Sequence, residues 1–146
     1  MNRWRAIVAA LLALVLNFQR LDAAETAAQR LGGILKRADY FSVWGWGVAA
    51  ATSENERTFR VFMQQNPVVD DALRLIADGT PAAKAYGFLA LNILSPELFA
   101  KLASRFFSNR RDGVSIRSGC SPSTESLGKL VKGIADGTIC LPKHRE

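Results

Sequence analysis

The residues best able to do chemistry in this 146-residue chain are few and poorly placed for catalysis. The only histidine, His144, stands in the C-terminal run Lys143-His-Arg-Glu146. Chain ends are usually mobile, so it makes a poor general base, and no Ser/His/Asp set can be built around it. Asp70 and Asp71 are neighbours in sequence. On a helix, adjacent side chains point about 100° apart, so spacing alone does not make them an acid/base pair, and both are expected on the solvent side. Asp78 and Asp136 belong to turns. Gly45-Trp46-Gly47 lacks the preceding strand and the third glycine of a dinucleotide loop, and no Walker, zinc or calcium signature is present. Cys120 and Cys140 with one tail histidine do not make a metal-ligand set. Catalytic residues, metal and cofactor are therefore all expected to be none.

Charge is the remaining functional signal. The chain carries +6 overall, and it is unevenly spread. Residues 101–146 hold nine basic and four acidic side chains, whereas 24–100 hold seven and eight. Lys101, Arg105, Arg110, Arg111 and Arg117 surround Phe106 and Phe107. This segment is the candidate binding site, suited to lipid head groups, glycan, nucleic acid or an acidic protein. The plain alternative is a solvated face, with Phe106 in the core and the arginine stems lying along apolar surface.

The N-terminus reads as a secretory leader over residues 1–23. Arg3 and Arg5 form its positive end, Ala6 to Phe18 an apolar run of 13 residues, and Leu21-Asp-Ala23 a cleavage site. The run is short of the roughly 20 apolar residues that span a bilayer. A periplasmic or secreted protein is expected, not integral to the membrane; an uncleaved inner-membrane anchor is the alternative. Export makes a Cys120–Cys140 disulfide the expected pairing. Closing a loop of about 20 residues contributes on the order of 3 kcal/mol in the chain-entropy model. Export also argues against nucleic acid as the partner.

Residues 24–146 read as one domain of capped helices. Four prolines follow a cap-forming residue, in Asn66-Pro67, Thr80-Pro81, Ser95-Pro96 and Ser121-Pro122, and each pair is expected to start a helix. Pro81 to Leu94 is apolar nearly all round, so it is expected to be the central, buried helix. Ser53-Glu-Asn-Glu56 fits a capping box. Val68, Val69, Ala72, Leu73, Ile76 and Ala77 form a helical stripe closed by Gly79 as a left-handed stop. The last helix is expected to start at Ser121-Pro122, bury Leu127, Leu130, Val131, Ile134 and Ala135, and end at Gly137. Val114-Ser-Ile-Arg117 alternates and reads as a short extended piece. Trp44 and Trp46 are expected to pack in the core.

Capped helices joined by very short turns resemble a HEAT-type α-hairpin repeat. The stretch Phe59 to Phe99, with Gly79-Thr-Pro-Ala-Ala-Lys-Ala-Tyr-Gly-Phe-Leu-Ala-Leu91 and Ser118-Gly-Cys120, also resembles a group of exported bacterial proteins that carry no assigned activity. That group has glycine, leucine and glycine where this chain has Ala83, Ala85 and Ala90. The resemblance implies a fold: an all-α bundle of stacked antiparallel hairpins with one disulfide. It implies no chemistry. The expected function is an exported, non-enzymatic binding protein, an inhibitor or immunity protein for an envelope-acting partner, with a surface near Tyr86–Asn92 or Arg105–Arg117. The second expectation is an envelope protein that binds anionic lipid or glycan through residues 101–117. A third class, an enzyme, finds no residue set to support it.

Overall fold

A computed structural model describes residues 25–44, 51–118 and 121–141. The leader, Trp46, Cys120 and His144 lie outside the described residues. In chain order the elements are α1 (Ala27–Leu35), α2 (Glu54–Gln64), α3 (Val69–Asp78), α4 (Pro81–Leu94), α5 (Pro96–Ala103), β1 (Gly113–Ser118), β2 (Ser121–Ser126) and α6 (Leu127–Ala135).

The all-α expectation is overturned by the antiparallel pair β1–β2, in register from Gly113↔Ser126 to Ser118↔Ser121. The expected short piece at 114–117 is strand β1, with Val114 and Ile116 buried. Its partner is Ser121-Pro-Ser-Thr-Glu-Ser126, which holds no apolar residue and so has no strand period to read. Pairing with β1 draws it into the sheet. Pro122 is tolerated because β2 is an outer strand. On the other side of β1, Phe41 forms a parallel bridge to Ile116. Its N–H donates to Ser115 O (2.8 Å) and its carbonyl accepts from Arg117 N (3.0 Å).

The expected disulfide is not seen either. Cys120 was placed at the mouth of the last helix, but that helix starts at Leu127, capped by Ser126. Six strand residues now separate Cys120 from it. No Cys120–Cys140 bridge is formed, and Cys140 is an exposed free thiol.

Helix α4 is the centre, as its composition demands. Every residue from Ala82 to Leu91 except Lys84 is buried. It packs against α3, α5, α6 and β1, while α1 packs on α2 and α3. Elements distant in sequence thus share one core around one helix. A HEAT-type array, in which each hairpin touches only its neighbours, does not have this arrangement. Tyr86 stacks between Phe41 (4.8 Å) and Phe59 (4.9 Å), and Phe88 packs on Phe99 (6.3 Å) and Phe106 (4.8 Å). The α3–α4 hairpin is close because of Gly87. A Cβ there would lie 2.9 Å from Ala72 O and 2.8 Å from Ile76 Cγ1.

The proline pairs divide. Thr80-Pro81 behaves as expected: Thr80 Oγ1 accepts from Ala83 N (3.1 Å) and donates to Ala38 O, tying the segment after α1 to the start of α4. Ser95-Pro96 puts proline at the first turn of α5 without a side-chain cap. Asn66-Pro67 stands ahead of α3, with Asn66 at φ 51° reversing the chain. Ser121-Pro122 is strand.

Four further expectations are corrected. Gly79 is extended (φ −82°); it is glycine because a Cβ would meet Leu75 O at 2.4 Å. The buried face of α3 is turned toward Asp71, Ala72, Leu75 and Ile76, leaving Val68 exposed. Asp71 is buried because its carboxylate accepts from Val68 N (3.0 Å), capping the helix. On α2, Ser53 caps Glu56 N (3.2 Å), but the Glu56 side chain enters the core instead of closing the box.

Candidate functional site

Beyond α5 the chain turns tightly. Phe106 N donates to Ala103 O and Asn109 N to Phe106 O, each at 2.8 Å. Asn109 Oδ1 then accepts from the backbone N–H of Arg111 (3.1 Å) and Asp112 (3.2 Å), an Asx turn. The first N–H groups of a helix have no partner within it. In α6 this turn supplies them: Leu127 N donates to Asp112 O (2.8 Å) and Gly128 N to Asn109 O (3.0 Å). Gly128 permits the approach, since a Cβ would lie 2.6 Å from the carbonyl oxygens of Phe106 and Phe107. Beneath, the Phe106 ring packs on Phe88. The backbone of residues 104–112 is thus held from below and from the side, and its outward side chains are presented on a fixed base.

Those side chains line a depression of about 340 Å³ that includes Arg105, Arg110 and Arg111. Asp112 lies in it too, but is taken up by Lys84 (3.6 Å) and Asn109 Nδ2 (3.0 Å). Arg105, Arg110 and Arg111 have no ion-pair partner among the described residues. Phe107, 43% exposed, stands next to them. At 4 Å a unit charge pair is worth about 1 kcal/mol in bulk water and about 4 kcal/mol at an effective dielectric of 20. A partner that excludes water from the depression would therefore strengthen each contact severalfold.

Three of the five expected basic residues meet here. Lys101 is exposed on α5 but does not line the depression. Arg117 stacks on the Tyr40 ring, 3.8 Å from its centroid, and so holds β1 against the 39–44 segment. Phe106 is half-buried, packed against the edge of the core and not within it as the plain alternative expects. The Tyr86–Asn92 stretch offers no partner surface, since Tyr86 through Leu91 are buried.

A buried polar network escaped the sequence reading. Tyr86 Oη accepts from Ser42 N (3.0 Å) and donates to Ser42 O (2.9 Å). Ser42 Oγ donates to Glu56 Oε2 (3.4 Å), and Arg60 donates to Glu56 Oε1 through Nη2 (2.7 Å) and Nε (3.1 Å). Burial pushes the Tyr86 phenol far above its ordinary pKa of 10, with the nearby Glu56 carboxylate adding to the rise against the Ser42 bond. The only signals were a lone hydroxyl on an apolar helix and a Glu four residues before an Arg. The network anchors the 39–44 segment to α4. Elsewhere Asp70 is exposed, Asp71 caps its helix, and Asp78 pairs with Lys36 (3.3 Å). Among the described residues no group of three or more His, Cys, Asp and Glu is placed to hold a metal ion, and no helix is long and apolar enough to cross a membrane. No family model, curated protein or solved structure matches the chain.

Proposed function

We propose that the protein is an exported, non-enzymatic binding protein that docks an acidic surface of a partner protein on the arginine turn. An inhibitor or immunity role toward an envelope-acting partner fits this reading. One observation carries it: three guanidiniums without ion-pair partners among the described residues line a single depression on a fixed backbone. Arginine presents a planar fork suited to carboxylates and is favoured at protein interfaces. The concave shape favours a protruding acidic side chain over a flat surface. Export rests on the leader pattern. The test is retention of envelope proteins by the immobilised chain, compared with Arg105→Ala/Arg110→Ala/Arg111→Ala.

A second reading, binding of anionic lipid or glycan, is supported by Phe107. An exposed aromatic flanked by cations suits a membrane interface. Vesicles with and without anionic lipid separate the two: protein-only retention supports the first, vesicle-only retention the second.

A further inference from the structure

A second cavity, away from the arginine turn, lies between α1 and α3. It holds about 320 Å³, near the lower end of the roughly 300–1,000 Å³ of ligand pockets. Gly32, Gly33 and Leu75 contribute to its lining. Glycine within a helix costs about 0.5–1 kcal/mol against alanine, so a pair of them needs a reason. Neither is left-handed. A Cβ at Gly33 would meet nothing within 4 Å, and one at Gly32 only the Phe62 ring edge at 3.7 Å. No close approach of protein demands them. What they do is leave a gap in the α1 side of the cleft, between the side chains of Gln29 and Lys36 that also line it.

The charges around that gap are arranged unusually. Lys36 and Asp78 pair at 3.3 Å, and Asp71, buried at the back of the cleft, accepts from Val68 N while keeping its negative charge beside Arg74. Glu25 and Arg74 line the same cleft, yet pair neither with each other nor with any other described residue. A cleft that holds an unpaired carboxylate and an unpaired guanidinium on either side of two glycines offers a contact to each end of a molecule with both charges. We infer that this cleft binds a small zwitterion of the α-amino acid type, its carboxylate on Arg74 and its ammonium on Glu25. The same chemistry is offered by a free amino acid and by a short peptide.

The test follows the backbone amide signals of Gly32 and Gly33 by NMR on the full chain. Alanine, leucine and glutamine are titrated at millimolar concentration, then their dipeptides, then N-acetylated and C-amidated forms. Saturable shifts with the free amino acids, or with the dipeptides alone, are expected and identify which source fits. The blocked forms should bind at least tenfold more weakly. Gly33→Leu, whose Cβ would meet nothing within 4 Å, puts a side chain into the cleft and should abolish the shifts while the protein stays folded; Arg74→Ala should weaken binding at least tenfold. No saturable shift with any probe would overturn the assignment. So would equal binding of blocked forms, or binding unchanged in Gly33→Leu.

Discussion

Two Gly→Ala substitutions, Gly128 in α6 and Gly33 in α1, should change stability in opposite directions. In Gly128→Ala the new methyl would start 2.6 Å from two carbonyl oxygens and 2.9 Å from that of Asn109. All three are backbone atoms, so the 104–112 turn must move by most of an ångström to reach ordinary contact. Overpacking of this kind costs about 1–3 kcal/mol. The shift also stretches the Leu127 and Gly128 N–H bonds, worth about 1 kcal/mol each. Helix propensity returns up to about 1 kcal/mol. The net loss is about 2–4 kcal/mol, or roughly 8–16 °C in Tm for a domain of this size. Gly33→Ala meets nothing and should gain up to about 1 kcal/mol, raising Tm by up to about 4 °C. Urea and thermal melts of both variants read this directly. Wild-type stability in Gly128→Ala would refute the claim that α6 and the arginine turn are locked together; destabilisation in Gly33→Ala would refute the open gap.

Tyr86→Phe leaves the Ser42 N–H and carbonyl without their partner and should cost about 1–3 kcal/mol at neutral pH, read by urea unfolding. The folded phenol keeps its proton above pH 10, where the unfolded one releases it, so this contribution falls as pH rises past about 10, by up to about 1.4 kcal/mol per unit. The gap between wild type and Tyr86→Phe should therefore narrow in alkaline melts; a gap that widens there contradicts the assignment. Arg117→Ala should lose about 0.5–2 kcal/mol of stability with the Tyr40 contact yet leave partner retention unchanged, as measured by melts beside binding assays. Cys140 should react with iodoacetamide in unreduced protein, adding one label there by peptide mass mapping, where a bridged cysteine would add none.

Much of the helical frame was legible because short-range chemistry decides it. Thr80-Pro81 and the run to Leu94 announced a buried helix, and nothing long-range opposed it. Leu127, Leu130, Val131 and Ile134 showed the inner face of α6 for the same reason. The failures lie where a distant partner decides. Residues 121–126 look like a helix cap cluster until Val114 and Ile116 are buried and need a strand beside them. Asp71 is buried by its own capping bond, and Glu56 is pulled inward by Ser42 and Arg60. Within the site, the excess of arginine was visible in the sequence. That Arg105, Arg110 and Arg111 converge while Arg117 is spent on Tyr40 depends on the register of β1 with Phe41, a pairing 75 residues apart.

Salt-dependent retention of envelope proteins by the immobilised full chain tests the central claim most directly. Wild type is compared with Arg105→Ala/Arg110→Ala/Arg111→Ala, whose exposed sites should leave Tm unchanged. The account predicts a retained protein with an acidic surface, eluted by rising salt. It predicts loss of about 2 kcal/mol per desolvated arginine, roughly thirtyfold each, in the variant. Equal retention by a correctly folded triple variant, or retention insensitive to salt, would contradict it.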